Sequence, residues 1–159
     1  MILLFISGII ASFLAIVAEL ALGSIVAAFG IDITVWNPTQ AGFFVSSFIA
    51  GILLFAIIEE VAKFSILRIQ LPRVPTSRPL PLSIFFGIGF ASVELALLYA
   101  DHGELFANTL PAFGIGAIHI LTAVAYGLLP RDTDRSRQAA ILLVAIGAHA
   151  FYNLFLAFI

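Results

Sequence analysis

Five long apolar stretches dominate this chain: residues 2–29, 41–69, 82–100, 109–129 and 137–159. About 20 apolar residues in a helix are enough to cross a hydrocarbon core about 30 Å thick. The pattern therefore predicts an all-α, polytopic transmembrane bundle of about five helices, forming a single integral-membrane domain over residues 1–159. Composition agrees, with 62% hydrophobic and only 10% charged residues and a mean hydropathy of +1.18. A soluble domain of this size cannot hide so much apolar surface. The first two stretches are long enough to tilt or to project from the bilayer. The first is also far longer than a signal-peptide core and lacks a basic leader, so it reads as a retained helix.

The intervening segments carry the expected punctuation. Asn37-Pro38 separates the first two spans, and Pro72, Pro75, Pro79 and Pro81 predict an extended, non-helical connection between the second and third. Pro130 ends the fourth span, and residues 132–136 read as a polar turn. The basic residues gather on two connections: Arg68, Arg73 and Arg78 on the second, Arg131, Arg135 and Arg137 on the fourth. Lys63 points to the same side, whereas the other connections carry Asp32, Asp101 and Glu104 and no Lys or Arg. The positive-inside rule then puts the N-terminus in the cytoplasm and the C-terminus outside, with Trp36 and Tyr99 near the outer interface. The net charge of −2 gives no reason to expect nucleic acid as a partner, and the absence of Cys excludes disulfides and thiolate catalysis.

Four of the apolar stretches carry ionisable groups at nearly the same depth, and such groups are expensive in hydrocarbon and usually face one another or a wet cavity. Counting about 1.5 Å per residue from the basic ends, Glu59 lies about 15–18 Å deep, Glu94 about 18 Å, His119 about 16 Å and His149 about 18 Å. All four fall near mid-membrane, although the spans alternate in direction. By the same count Glu19 stays outside this layer, near the outer end of the first span, and reads as structural. Glu59 and Lys63 share a face in the favourable order for an ion pair. Glu60 is rotated by about 100° and could pair with Arg68 or face a polar groove. Phe90 shares a face with Glu94, and Asn153 with His149. Gly87 with Gly89, and Gly114 with Gly116, would let helices approach closely.

Hydrolysis of a peptide bond needs an activated water, an oxyanion stabiliser and a proton donor for the leaving amine. Carboxylates and imidazoles can supply all three, and no serine, cysteine or aspartate in this layer suggests a triad. A zinc site built from Glu59, Glu94, His119 and His149 is the rival chemistry. Each residue also has a plain structural use: an intramembrane His or Asn as an interhelical hydrogen bonder, Glu59 with Lys63 as a buried ion pair, and Phe90 as packing. A proton-coupled transporter would use similar groups, though the chain lacks the internal repeat common in that class.

The segments Glu59-Glu60-Val61-Ala62-Lys63, Gly89-Phe90-Ala91-Ser92-Val93-Glu94, His119 followed by Ile-Leu-Thr-Ala-Val-Ala-Tyr-Gly, and His149-Ala150-Phe151-Tyr152-Asn153 resemble the PrsW family of intramembrane proteases. That family is similar to the CAAX prenyl protease and Abi branches of one superfamily. Its ordered pattern is EExxK, FxxxE, a lone His, and HxxxN or HxxxD. Lys63 and Glu94 stand where the prenyl branch has Arg and His, which favours the PrsW branch. The resemblance implies a glutamic-type protease that needs no metal and acts on a membrane-anchored or membrane-proximal protein. Glu59 would be the general base and Glu60 a positioning carboxylate. His119 and His149 would flank the water and the oxyanion, with Asn153 assisting. Glu94 would share a proton with Glu59 or hold a histidine. The gamma-secretase scaffold subunit resembles the same superfamily, so a non-catalytic scaffold is the alternative it implies.

Overall fold

The computed structural model describes residues 1–28, 43–73, 79–102, 109–130 and 133–157, with side chains described for all of these but 43–48, 73, 101 and 102. The described residues form five α-helices and one short 3-10 turn, with no strand among them: α1 (Ile2–Ala28), α2 (Phe43–Gln70), the turn Leu71–Arg73, α3 (Pro79–His102), α4 (Thr109–Gly127) and α5 (Arg135–Leu156). Four of them, α1, α3, α4 and α5, are long and apolar enough to cross a membrane. The chain is accordingly an integral membrane protein. The remaining helix, α2, is 28 residues long and carries Glu59, Glu60, Lys63 and Arg68 in its second half. Large apolar side chains such as Phe13, Val17, Phe113, Val144 and Phe151 point outward, as they do when the solvent is lipid.

Two expected boundaries shift. Pro79 and Pro81 lie inside the first turn of α3 rather than in an extended linker, and Pro72 sits in the 3-10 turn. A helix leaves its first N–H groups unpaired, so proline costs nothing there. Helix α5 begins two residues before the expected start, because Asp134 caps it. Its carboxylate accepts from the backbone N–H of Arg137 at 2.8 Å and from the Ser136 hydroxyl at 2.5 Å. Those bonds, the Ser136 one foremost, hold the Asp134 carboxyl below its usual range. The expectations for Asp32, Trp36, Asn37, Pro38, Pro75, Arg78, Glu104, Arg131 and Asp132 lie outside the described residues, as do those for the side chains of Arg73 and Asp101.

Helix α3 packs most extensively against α1 and α4, while α2 packs chiefly on α5 and α1. Without a hydrophobic driving force between helices in lipid, close backbone approach becomes the main source of contact. A Cβ on Gly8 would strike the backbone of Phe86 and Phe90, one on Gly89 the backbone of Phe5, and one on Gly87 would stand 2.7 Å from the Ile120 Cα. Both faces of α3 therefore touch neighbouring backbones directly. The second glycine pair behaves differently from expectation. Gly114 accommodates the Tyr152 ring, and Gly116 faces open space.

The contacts also set the directions. Glu60 meets Tyr126 and Arg68 meets Pro130, so α2 and α4 run the same way. Gly127 meets Ser83 while Gly87 meets His119 and Ile120, so α3 opposes α4. Tyr152 donates to the Pro111 carbonyl at 2.7 Å and His149 faces His119, so α5 opposes α4 as well. Helix α1 runs parallel to α3, with Gly8 beside Phe86 and Phe90, and Glu19 farther along beside Glu94 and Leu97.

Candidate functional site

The second half of α2 brings its charges into the centre of the bundle. Glu60 and Lys63 are both fully buried, one turn apart, with Lys63 Nζ 2.5 Å from Glu60 Oε1. This corrects two expectations, because Lys63 pairs with Glu60 rather than Glu59, and Arg68 donates to the Pro130 carbonyl at 3.4 Å rather than to Glu60. Glu60 is held by three donors from three helices. Tyr126 of α4 donates its hydroxyl to Oε2 at 2.7 Å, and His149 of α5 places Nδ1 2.7 Å from Oε1. An ionised carboxylate only accepts, so the network assigns the Nδ1 proton to His149 and frees Nε2 for other work. Lys63 also stands 4.5 Å from the centre of the Phe90 ring, so the buried ammonium has an aromatic face as well as a carboxylate.

Around this anchored pair lie the less committed groups. His149 Nε2 is 3.6 Å from Glu59 Oε2, too long for a direct hydrogen bond. His119 is fully buried, edge-on to His149 with ring centres 5.1 Å apart, and stacked at a tilt on Phe90 at 4.8 Å. Its Nε2 lies 2.8 Å from Glu94 Oε1, yet the alignment does not make a hydrogen bond, and neither ring nitrogen has a hydrogen-bond partner among the described residues. Four helices thus bring Glu59, Glu60, Glu94, His119 and His149 together. Asn153 lies one turn beyond His149, half-buried, and its side chain makes no hydrogen bond among the described residues.

Glu19 was expected to stand apart and does not. It joins Glu59, Glu94 and Ser12 in the wall of a cavity of about 180 Å³ between α1, α2 and α3. Depth counted at the Cα missed it, because side chains lean toward the N-terminus of their own helix. Helices α1 and α2 run in opposite directions, so Glu19 leans inward and Glu59 leans to meet it. Tyr126 was also missed as a site residue. It lies seven positions after His119, two helical turns along the same face, which is the signal that could have found it.

One donor atom each from Glu59, His119 and His149 lies within 4.8 Å of the others. The donor types suit zinc, and Glu60 behind His149 is the kind of outer partner that orients a ligating imidazole. Zinc bonds of about 2.0–2.2 Å would require that spread to contract. No family model, curated protein or solved structure matches the chain.

Proposed function

We propose that this protein is an intramembrane protease of the glutamic type, similar to the PrsW family, acting on a membrane-anchored or membrane-proximal protein. The observation that carries this reading is the anchored Glu60–His149 pair facing Glu59 across a 3.6 Å gap. A water seated beside that gap would contact both a carboxylate oxygen and an imidazole nitrogen. Glu59 takes its proton as the oxygen attacks the peptide carbonyl, and passes that proton to the leaving amine. Glu60 acts through His149: pinned by Lys63 and Tyr126, it holds the imidazole in one tautomer and one orientation. In that tautomer His149 Nε2 is an acceptor and would orient the water, which leaves the uncommitted His119 as the group available to the developing oxyanion. Asn153 would assist from the next turn of α5, and Glu94 would steady His119. The cytoplasmic N-terminus and external C-terminus implied by the arginine bias belong to the same proposal.

Zinc-assisted hydrolysis is the second reading, favoured by the clustering of Glu59, His119 and His149. Zinc would supply Lewis acidity to the water and the carbonyl. The metal-free reading expects no stoichiometric zinc in purified protein and no loss of activity in a chelator, whereas the zinc reading expects stoichiometric zinc and loss of activity in a chelator. The protease proposal itself is tested by mapping new protein N-termini in membranes containing the wild type or Glu59→Gln. Cleavage products should appear only with the wild type, and Glu59→Gln should lower turnover about 10²–10⁴-fold, the usual worth of a general base. Identical N-termini in both membranes, together with a proton flux in liposomes that depends on Glu59, would move the protein to the transporter class.

A further inference from the structure

We propose that the cavity walled by Glu19, Glu59, Glu94 and Ser12 is the subsite for a basic side chain of the substrate, lysine or arginine, and that Glu19 determines this specificity. The proposal rests on the protease reading and names the substrate class of that same site.

Three features of the cavity point to a cationic occupant. Its polar wall is built of acceptors. Glu19 Oε1, Glu59 Oε2 and Glu94 Oε1 are buried with no hydrogen-bond donor, and Ser12, 1% exposed, has an unpartnered hydroxyl. Buried acceptors without donors are costly, and an ammonium or guanidinium group offers three or five donors and no acceptor. No basic side chain among the described residues lines the cavity, and the nearby Lys63 is already held by Glu60. Ionised carboxylates crowded in a poorly solvated space repel, and a cation among them removes that repulsion.

Shape supports the same occupant. The cavity follows α1 from Ser12 to Glu19 and α3 from Phe90 to Leu97, about 10 Å along each helix. Ile16 and Leu97 give it apolar flanks. A lysine or arginine side chain is a thin apolar stem with a charged tip, and needs this combination of apolar sides and an anionic end. Glu59 links the subsite to the reaction, since it borders the cavity and also faces His149. A basic side chain seated there places its own backbone beside the general base. Glu19 differs from the other two acids in having no contact with either histidine, so its part is confined to the cavity.

Binding of single-span peptides to the purified protein in phosphatidylcholine nanodiscs tests the proposal. The peptides differ at one position only, carrying lysine, arginine or norleucine. Lysine and arginine peptides should bind about tenfold tighter than the norleucine peptide, the value of one retained buried ion pair. Glu19→Gln should remove most of that preference without weakening norleucine binding, and Glu19→Asp should restore part of it. Ser12→Ala, read alongside, should reduce the preference by a smaller factor. Equal affinity for all three peptides, or an intact preference in a folded Glu19→Gln protein, overturns the proposal. So does loss of the preference when phosphatidylethanolamine is added, because the cavity then belongs to lipid amines. Binding needs no turnover. Selective binding in a protein that cuts nothing would keep the subsite and remove the protease reading, while cleavage without selectivity would do the reverse.

Discussion

Glu60 makes the clearest separation between holding and reacting. It is fully buried and meets Lys63, Tyr126 and His149 at 2.5 to 2.7 Å. A fully buried carboxylate held by three donors is poorly placed to take a proton from a water, and under the proposed mechanism this leaves the base role to its neighbour Glu59. Spacing alone saw two adjacent carboxylates and could not rank them; only the family resemblance did, with Glu59 as the base and Glu60 as a positioning carboxylate. Spacing says which side chains share a helical face, but not which of two faces meets the tyrosine and histidine of other helices. Truncating one member of the network tests its weight. Lys63→Met leaves Glu60 buried without its cation and should cost about 3–5 kcal/mol of stability, since breaking a buried pair strands the other charge. Tyr126→Phe removes only a neutral donor to a charged acceptor and should cost about 1.5–3 kcal/mol. Denaturation of both variants in the same detergent gives the comparison. A larger loss for Tyr126→Phe would mean that the hydroxyl, not the ammonium, holds the carboxylate.

The helices converge on one site because α3 lets its neighbours come close. Gly8 and Gly89 seat α1 against α3, and Gly87 seats α4. These contacts carry Glu94 toward His119 and Glu19 toward Glu94. Sequence indicated the close approach of α3 through the Gly87–Gly89 pair. It also suggested the same for Gly114 and Gly116, where only Gly114 meets a neighbour. Two small residues in a helix permit contact, but whether another helix lies on that face is a property of the bundle. Gly87→Ala would push a methyl group into the backbone of α4. It should destabilise the protein by about 1–3 kcal/mol, the usual cost of overpacking. Because the displaced segment includes His119, it should also lower turnover. Gly116→Ala has open space before it and should leave both unchanged. A thermal melt of each variant, with turnover measured on the same preparation, checks the pair. Equal behaviour would detach the α3–α4 contact from the geometry of the site.

For the molecule as a whole, the strongest sequence signal was a coincidence of depth. Glu59, Glu94, His119 and His149 were placed at one level by counting residues along spans of alternating direction, and those four do lie side by side. The alternation itself follows from the paired contacts of α2 with α4, α3 with α4 and α4 with α5. It places Arg68, Pro79, Pro130 and Arg135 at one end of the bundle and Tyr99 at the other. In the proposed orientation the arginine end faces the cytoplasm, and the cavity beside Glu19, which runs from the glutamate layer toward the Tyr99 end, would approach the outer surface. The chain has no cysteine, and this makes the orientation directly measurable. Tyr99 and Ser136 are both exposed and lie near opposite ends. A cysteine introduced by Tyr99→Cys should react with a membrane-impermeant maleimide in intact cells, and one introduced by Ser136→Cys only after permeabilisation. The reverse pattern would turn the molecule over. A substrate segment would then reach Glu19 from the cytoplasm, and the proposed protease would draw its substrates from the opposite side of the membrane.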